Sequence, residues 1–170
     1  YIVWVAIADV AKYVTPGSKL DLEALKRGNS TYFPDLVVPM IPDVLSGDIC
    51  SLKEGEIRAA LAVKIWINKE GKKTTHQFFR CIIRNEIASS YEDVQSVIDN
   101  SAISKTKIKL KKLVKPLHAA YKLLEKQSKN REPLELELTE QEILFDNVGD
   151  IKTIRVKERF ESHKIVEQLM

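Results

Sequence analysis

The sequence predicts an α+β fold, a mixed or antiparallel sheet with helices packed around it. Three observations carry that expectation. Residues 56–67 alternate, with Ile57, Ala59, Leu61, Val63, Ile65 and Ile67 on one face, the period of a half-buried strand. Residues 74–87 return after a turn at 68–72, where Gly71 can take positive φ, and put Phe79, Cys81 and Ile83 on one face of an antiparallel partner. Between 106 and 127, Leu110, Leu113, Val114, Leu117, Tyr121 and Leu124 recur at helical spacing.

The remaining elements follow in order. Residues 1–8, YIVWVAIA, form a continuous apolar run, as in a strand buried on both faces. Asp9 ends it, either as a cap on the following turn, the reading we favour, or as an acid bordering an active site. Pro16-Gly17 marks a turn. Asp21 is the expected N-cap of a short helix through Leu25, with Glu23 in its first turn. Residues 27–52 hold three prolines, Pro34, Pro39 and Pro42, which exclude a long helix and argue against a central strand. The segment is also apolar, through Tyr32, Phe33, Leu36, Val37, Val38, Met40 and Ile41. It is therefore expected to lie pinned across a packed surface.

In the second half, Ser89-Ser90-Tyr91-Glu92 reads as a capping box that opens a helix to about Ile98. Pro116 either kinks the long helix or marks its start. Residues 128–133 read as a loop, Leu134–Leu138 (LELEL) as a strand and Ile143–Phe145 as another. A turn at 147–150 with Gly149 and a short strand over 151–156 come next. The last helix is expected from near Glu158, with Ile165, Val166 and Leu169 on its apolar side.

The 170 residues are 44% hydrophobic and 30% charged, the balance of a soluble globular protein. No apolar run approaches the roughly 20 residues of a membrane span, and no signal peptide is expected, since a basic n-region and small-residue cleavage site are not seen. Cys50 and Cys81 make no metal or disulfide pattern and are expected to be buried free thiols of a reducing, cytoplasmic compartment. Neither end has the character of a natural terminus, so the chain reads as a piece of a longer protein. Net charge is only +3, yet residues 101–131 carry ten Lys or Arg against one acid, Glu125. Such a block suits a polyanion; a solvated helix face is the plainer account.

No hydrolytic constellation is complete. His76, His118 and His163 are widely spaced, and no glycine-rich phosphate loop or Gly-x-Ser-x-Gly elbow exists. Two-metal phosphodiester hydrolysis needs converging carboxylates. Glu135 and Glu137 come nearest to that, but suit a solvated strand face better. No catalytic residue and no metal ligand is assigned within the chain.

Several blocks nevertheless resemble a known family. These are IADV at Ile7–Val10, PGS at Pro16–Ser18, Leu20-Asp21, RGNSTYFPD at Arg27–Asp35, VPMIP at Val38–Pro42 and LSGDICSL at Leu45–Leu52. In this order and spacing they resemble the catalytic RNB domain of the ribonuclease II and ribonuclease R exoribonucleases, ribonuclease R more closely. The weaker similarity continues to Met170. The resemblance implies that the whole chain, 1–170, is part of one RNB domain truncated at both ends. It implies a parent hydrolase that degrades single-stranded RNA from 3′ to 5′, releasing nucleoside 5′-monophosphates with Mg²⁺, and neither a DNA nor a membrane partner.

The family's metal-binding aspartates would lie upstream of Tyr1, and an essential arginine downstream of Met170. The chain alone is then expected to bind no Mg²⁺ and to be inactive. The resemblance implies that Tyr32 stacks on the 3′-terminal nucleotide and that Glu167 contacts it. A carboxylate there can accept from a ribose 2′-hydroxyl. Arg27 is a candidate phosphate contact or a structural ion pair. Arg159 and His163 share a helix face with Glu167 at spacings of four, and His163 is a further candidate RNA contact. Where many relatives have a clamping phenylalanine, this chain has Leu136, and Gln168 replaces the second member of a Glu-Glu pair. Besides the enzyme, two other readings stand: a non-catalytic RNA-binding module that retains the fold, and a purely structural domain.

Overall fold

The computed structural model describes residues 1–33, 36–101, 105–131, 140–146 and 148–170. The chain divides into two compact units, Tyr1–Ser90 and Tyr91–Met170.

The first unit contains β1 (Ile2–Ala8), a 3-10 turn at Val10–Lys12, α1 (Lys19–Arg27), β2 (Thr31–Tyr32) and β3 (Val37–Val38). A π-helical stretch at Val44–Ile49, β4 (Ile57–Ile67) and β5 (Lys73–Arg84) complete it. Strands β1, β4 and β5 form an antiparallel sheet in that order, and β2 pairs with β3. The expected hairpin is present: Ala62 lies opposite Phe79 and Ala60 opposite Cys81, with a bulge at Trp66/Ile67. Its turn is organised by Asn68, whose Oδ1 accepts from the Glu70 and Lys72 N–H groups. Gly71 takes φ 81° there.

The faces of this sheet depart from expectation. β1 is an edge strand, and only Val3 of it is buried; Ile2, Trp4 and Ile7 are exposed. An apolar run records hydrophobicity but not which layer covers it. On β4 the buried residues are Ala60, Ala62 and Ile67; the two alanines lie on the face opposite the Ile-Leu-Val row, of which Ile57 and Leu61 are exposed. Trp4 on β1 and Phe79 on β5 meet across β4 with ring centroids 5.4 Å apart. Lys64 Nζ stands 5.2 Å from the Trp4 ring and 4.7 Å from Trp66.

Ser18, not Asp21, caps α1. Ser18 Oγ accepts from the Asp21 N–H at 3.2 Å, and Asp21 Oδ2 accepts from the Gly17 N–H at 2.8 Å. Ser18 is extended (ψ 160°), the backbone an N-cap requires. Asp21 thereby sits within the first turn. The helix continues to Arg27 and closes at Gly28, φ 78°.

The second unit contains α2 (Tyr91–Ile98), α3 (Lys105–Lys129), β6 (Gln141–Phe145), β7 (Ile151–Val156) and α4 (Glu161–Leu169). The three helices pack on one another around Val97, Leu110, Val114, Ala120, Tyr121 and Ile165. Leu113, expected in the buried stripe, is 57% exposed, and Ala120 takes part in the core instead. Pro116 lies inside α3 and does not start it. Strands β6 and β7 pair antiparallel, joined by a turn in which Asp146 Oδ1 accepts from the Val148 and Asp150 N–H groups.

α4 starts at Glu161 rather than near Glu158. The Lys157 N–H still donates to Glu140 O at 2.8 Å, so the strand pairing outlasts β7 and delays the helix. Ser162 then ties it to α2, its Oγ donating to Tyr91 O at 2.9 Å. Of the expected apolar side of α4, Ile165 is buried and Val166 is exposed. The expected LELEL strand, with Glu135, Leu136 and Glu137, lies outside the described residues.

Candidate nucleic-acid interface

Tyr32 ends β2, opposite Val37. It is 76% exposed, and Phe33, Leu36, Val37 and Val38 around it are exposed as well. The expectation of a segment pinned face-down on a packed surface is thus corrected. The segment is fastened at its base instead and exposes Tyr32, Phe33, Leu36, Val37 and Val38, while Met40 and Ile41 are half-buried. Two bonds make the fastening: Arg27 Nη1 donates to Pro39 O at 3.1 Å, and the Met40 N–H donates to Ser30 Oγ at 2.9 Å. Within the small hairpin, the Phe33 N–H donates to Leu36 O at 2.8 Å. Arg27 also pairs with Glu23 Oε1 at 3.0 Å. Its guanidinium belongs to the frame that holds the Tyr32 hairpin.

Beyond Pro42 the chain turns into the π-helical stretch, whose wider i→i+5 bonding shows in the Cys50 N–H donating to Leu45 O at 2.7 Å. Arg58 anchors this stretch: its Nε donates to Ser51 O at 3.2 Å and its Nη2 reaches Asp48 Oδ1 at 3.3 Å. Lys53, hydrogen-bonded to Asp48 at 2.7 Å, holds that carboxyl below its ordinary range.

Asp9 makes no capping bond at the turn it precedes. It is 8% exposed and is held by Arg80 of β5, with Nη2 3.2 Å from Oδ1 and Nε 3.1 Å from Oδ2. A forked guanidinium matches both carboxylate oxygens, which the backbone donors of one turn cannot do. The charge bears on Cys50, whose thiol is pushed up by burial and then by Asp9. Cys50 and Cys81 are free, and half-buried rather than buried.

In the second unit, His163 is the third residue of α4. Its Nδ1 accepts from the Phe160 N–H at 3.1 Å, satisfying a donor at the helix start. Its ring stacks on Tyr91 with centroids 4.0 Å apart and planes at 18°, and lies 5.6 Å from the Phe160 ring. Glu167, about one turn along, pairs through Oε2 with Arg159 Nη2 at 2.5 Å. Arg159 itself precedes the helix. Beside these, Glu161 meets Lys122 and, at 3.2 Å, His118 Nε2. Tyr121, 2% exposed, donates to Glu125 Oε1 at 2.9 Å. Burial and that bond push the Tyr121 phenol far up.

Tyr32 and Arg27 therefore belong to the first unit, where Arg27 braces the hairpin that carries Tyr32. His163 and Glu167 belong to the second, where they share α4. Among the described residues no three of His, Cys, Asp and Glu gather to hold a metal ion.

The family model for the RNB domain matches residues 1–170. The chain belongs to the RNB domain family. Its similarity to a ribonuclease R of Vibrio parahaemolyticus is 35% identity over 168 residues, 98% of this chain and 20% of that protein. Among solved structures it is similar to Mycoplasma genitalium RNase R in complex with double-stranded RNA. That match has a TM-score of 0.91 and 28% identity and covers 99% of this chain and 30% of the other. The same enzyme with ribose-methylated single-stranded RNA matches at a TM-score of 0.89 and 27% identity, over 99% of this chain and 26% of the other. The chain spans about a fifth of the length of the ribonuclease R relatives it matches. The structure of this chain shows two pairs that the sequence did not assign, Asp9–Arg80 and Arg159–Glu167. The first joins residues 71 apart, beyond any local spacing rule; the second had a signal, the common helix face of 159, 163 and 167.

Proposed function

We propose that this chain is the substrate-holding portion of the RNB domain of a ribonuclease R-type exoribonuclease. The parent enzyme degrades single-stranded RNA from 3′ to 5′ to nucleoside 5′-monophosphates. The observation that carries the reading is the 35% identity to a ribonuclease R across 98% of the chain. The RNA complexes of the similar Mycoplasma enzyme support RNA as partner.

In this reading Tyr32 is a stacking platform: a ring free on one strand end, on a hairpin braced by Arg27 and Ser30. Stacking of one base on an aromatic ring is worth about 1–3 kcal/mol and tolerates any base. Glu167 accepts the 2′-hydroxyl of the terminal ribose, which distinguishes RNA from DNA. His163 acts on RNA only through α4, whose first turn it fixes. Mg²⁺, where the parent holds it, activates water and stabilises the charge that develops on the cleaved phosphodiester. The contribution proposed for this chain is binding and alignment of the 3′ end. The cytoplasm as compartment belongs to the same proposal and is supported by the two free cysteines; no helix among the described residues is long and apolar enough to cross a membrane.

The purified 170-residue chain is expected to release no mononucleotides from labelled single-stranded RNA at any Mg²⁺ concentration. Metal-dependent release by the chain alone would overturn the division of labour proposed here.

A further inference from the structure

Glu167 stands in the last turn of α4, where the helix dipole disfavours a carboxylate, and Arg159 stands before the first turn, where it disfavours a cation. The pair is therefore set against the helix field on both ends. Lys164 lies three residues before Glu167, within ordinary helical reach, yet the one ion pair of Glu167 among the described residues is with Arg159. Both partners are half-exposed, and exposed pairs contribute little to stability. An arrangement that is unfavourable to the helix and of little value to the fold is better explained by what it does to the carboxylate. Arg159 engages Oε2 alone and leaves Oε1 without a partner among the described residues. Between them His163 keeps the helix start rigid, its ring held by Tyr91 and the Phe160 N–H.

We propose that Arg159 is a positioning residue for Glu167, fixing one carboxylate oxygen so that the other is presented to the 2′-hydroxyl of the 3′-terminal nucleotide. The inference rests on the reading above that Glu167 meets that nucleotide. Arg159 does not touch RNA in this scheme. It reduces the number of conformations Glu167 must give up when RNA arrives, which raises discrimination without adding a contact. A guanidinium suits the task better than an ammonium because its planar fork sets direction as well as charge.

The experiment uses the full-length parent enzyme and two oligonucleotides that differ only at the 3′-terminal sugar, ribose or 2′-deoxyribose. The readout is the ratio of initial rates on the two. Glu167→Ala and Arg159→Ala are each expected to lower the ratio about tenfold, the double variant no further, and Arg159→Lys to recover part of it. A wild-type ratio in Arg159→Ala beside a collapsed ratio in Glu167→Ala overturns the positioning role while leaving the terminal-nucleotide reading intact. A wild-type ratio in Glu167→Ala overturns both. A far-UV circular dichroism spectrum of each variant confirms folding, and Arg159→Lys, which keeps the charge, provides the reading where the alanine variant is poorly folded.

Discussion

Because Tyr32 is 76% exposed, replacing it by alanine removes little packing and isolates the stacking role proposed for it. Tyr32→Ala in the parent enzyme is expected to weaken binding of a single-stranded RNA 3′ end by about 5- to 150-fold, the factor equivalent to one lost stacked base. Unchanged affinity and an unchanged product pattern would count against the clamp. At this scale the sequence is uneven. The role proposed for Tyr32 rests on the motif around it, since a tyrosine in an apolar stretch is otherwise indistinguishable from core. Asp9 was legible as a notable acid but not as half of a pair, because Arg80 is 71 residues away and on a different strand. Arg27 was open between phosphate contact and structural pair, and the structure shows it paired with Glu23 and bonded to Pro39 O.

Helices α3 and α4 are joined by charges that titrate. Burial pushes the Glu161 carboxyl up, but the paired Lys122 and the neighbouring His118 ring outweigh it together and leave the group below its ordinary value of 4.5. Glu125, with Tyr121 and Lys122 as partners, is displaced in the same direction. A carboxyl whose folded-state pKa is depressed binds protons less readily when folded. Its contribution is therefore complete above the unfolded-state value and disappears as pH falls through the lower folded-state value. The helical unit is expected to hold its stability from neutral pH down to about pH 5 and to lose it progressively below about pH 4.5. Thermal melts across that range check this, and Glu161→Gln is expected to flatten the acid limb. Elements themselves were read well where a period was long. The β4–β5 hairpin and α3 fell where alternation and helical spacing put them. Boundaries and faces were read less well. Ser18 displaced Asp21 as cap because it had the extended backbone, and the buried Ala60 and Ala62 lie on the face of β4 opposite the expected row.

The chain is a fraction of the molecule to which its relatives correspond, and this explains what remained illegible. Ile7, Leu61, Phe78 and Ile82 lie exposed on one face of the β1–β4–β5 sheet, and no spacing rule names the layer that would cover them. In the function proposed above, the residues of this chain hold the RNA 3′ end and the cleavage chemistry belongs to the parent. The most direct measurement is product analysis of the full-length parent acting on a labelled single-stranded RNA, with and without Mg²⁺. Stepwise shortening from the 3′ end with release of nucleoside 5′-monophosphates, only when Mg²⁺ is present, is the predicted result. RNA that is bound but never shortened, or shortened by internal cuts, would contradict it.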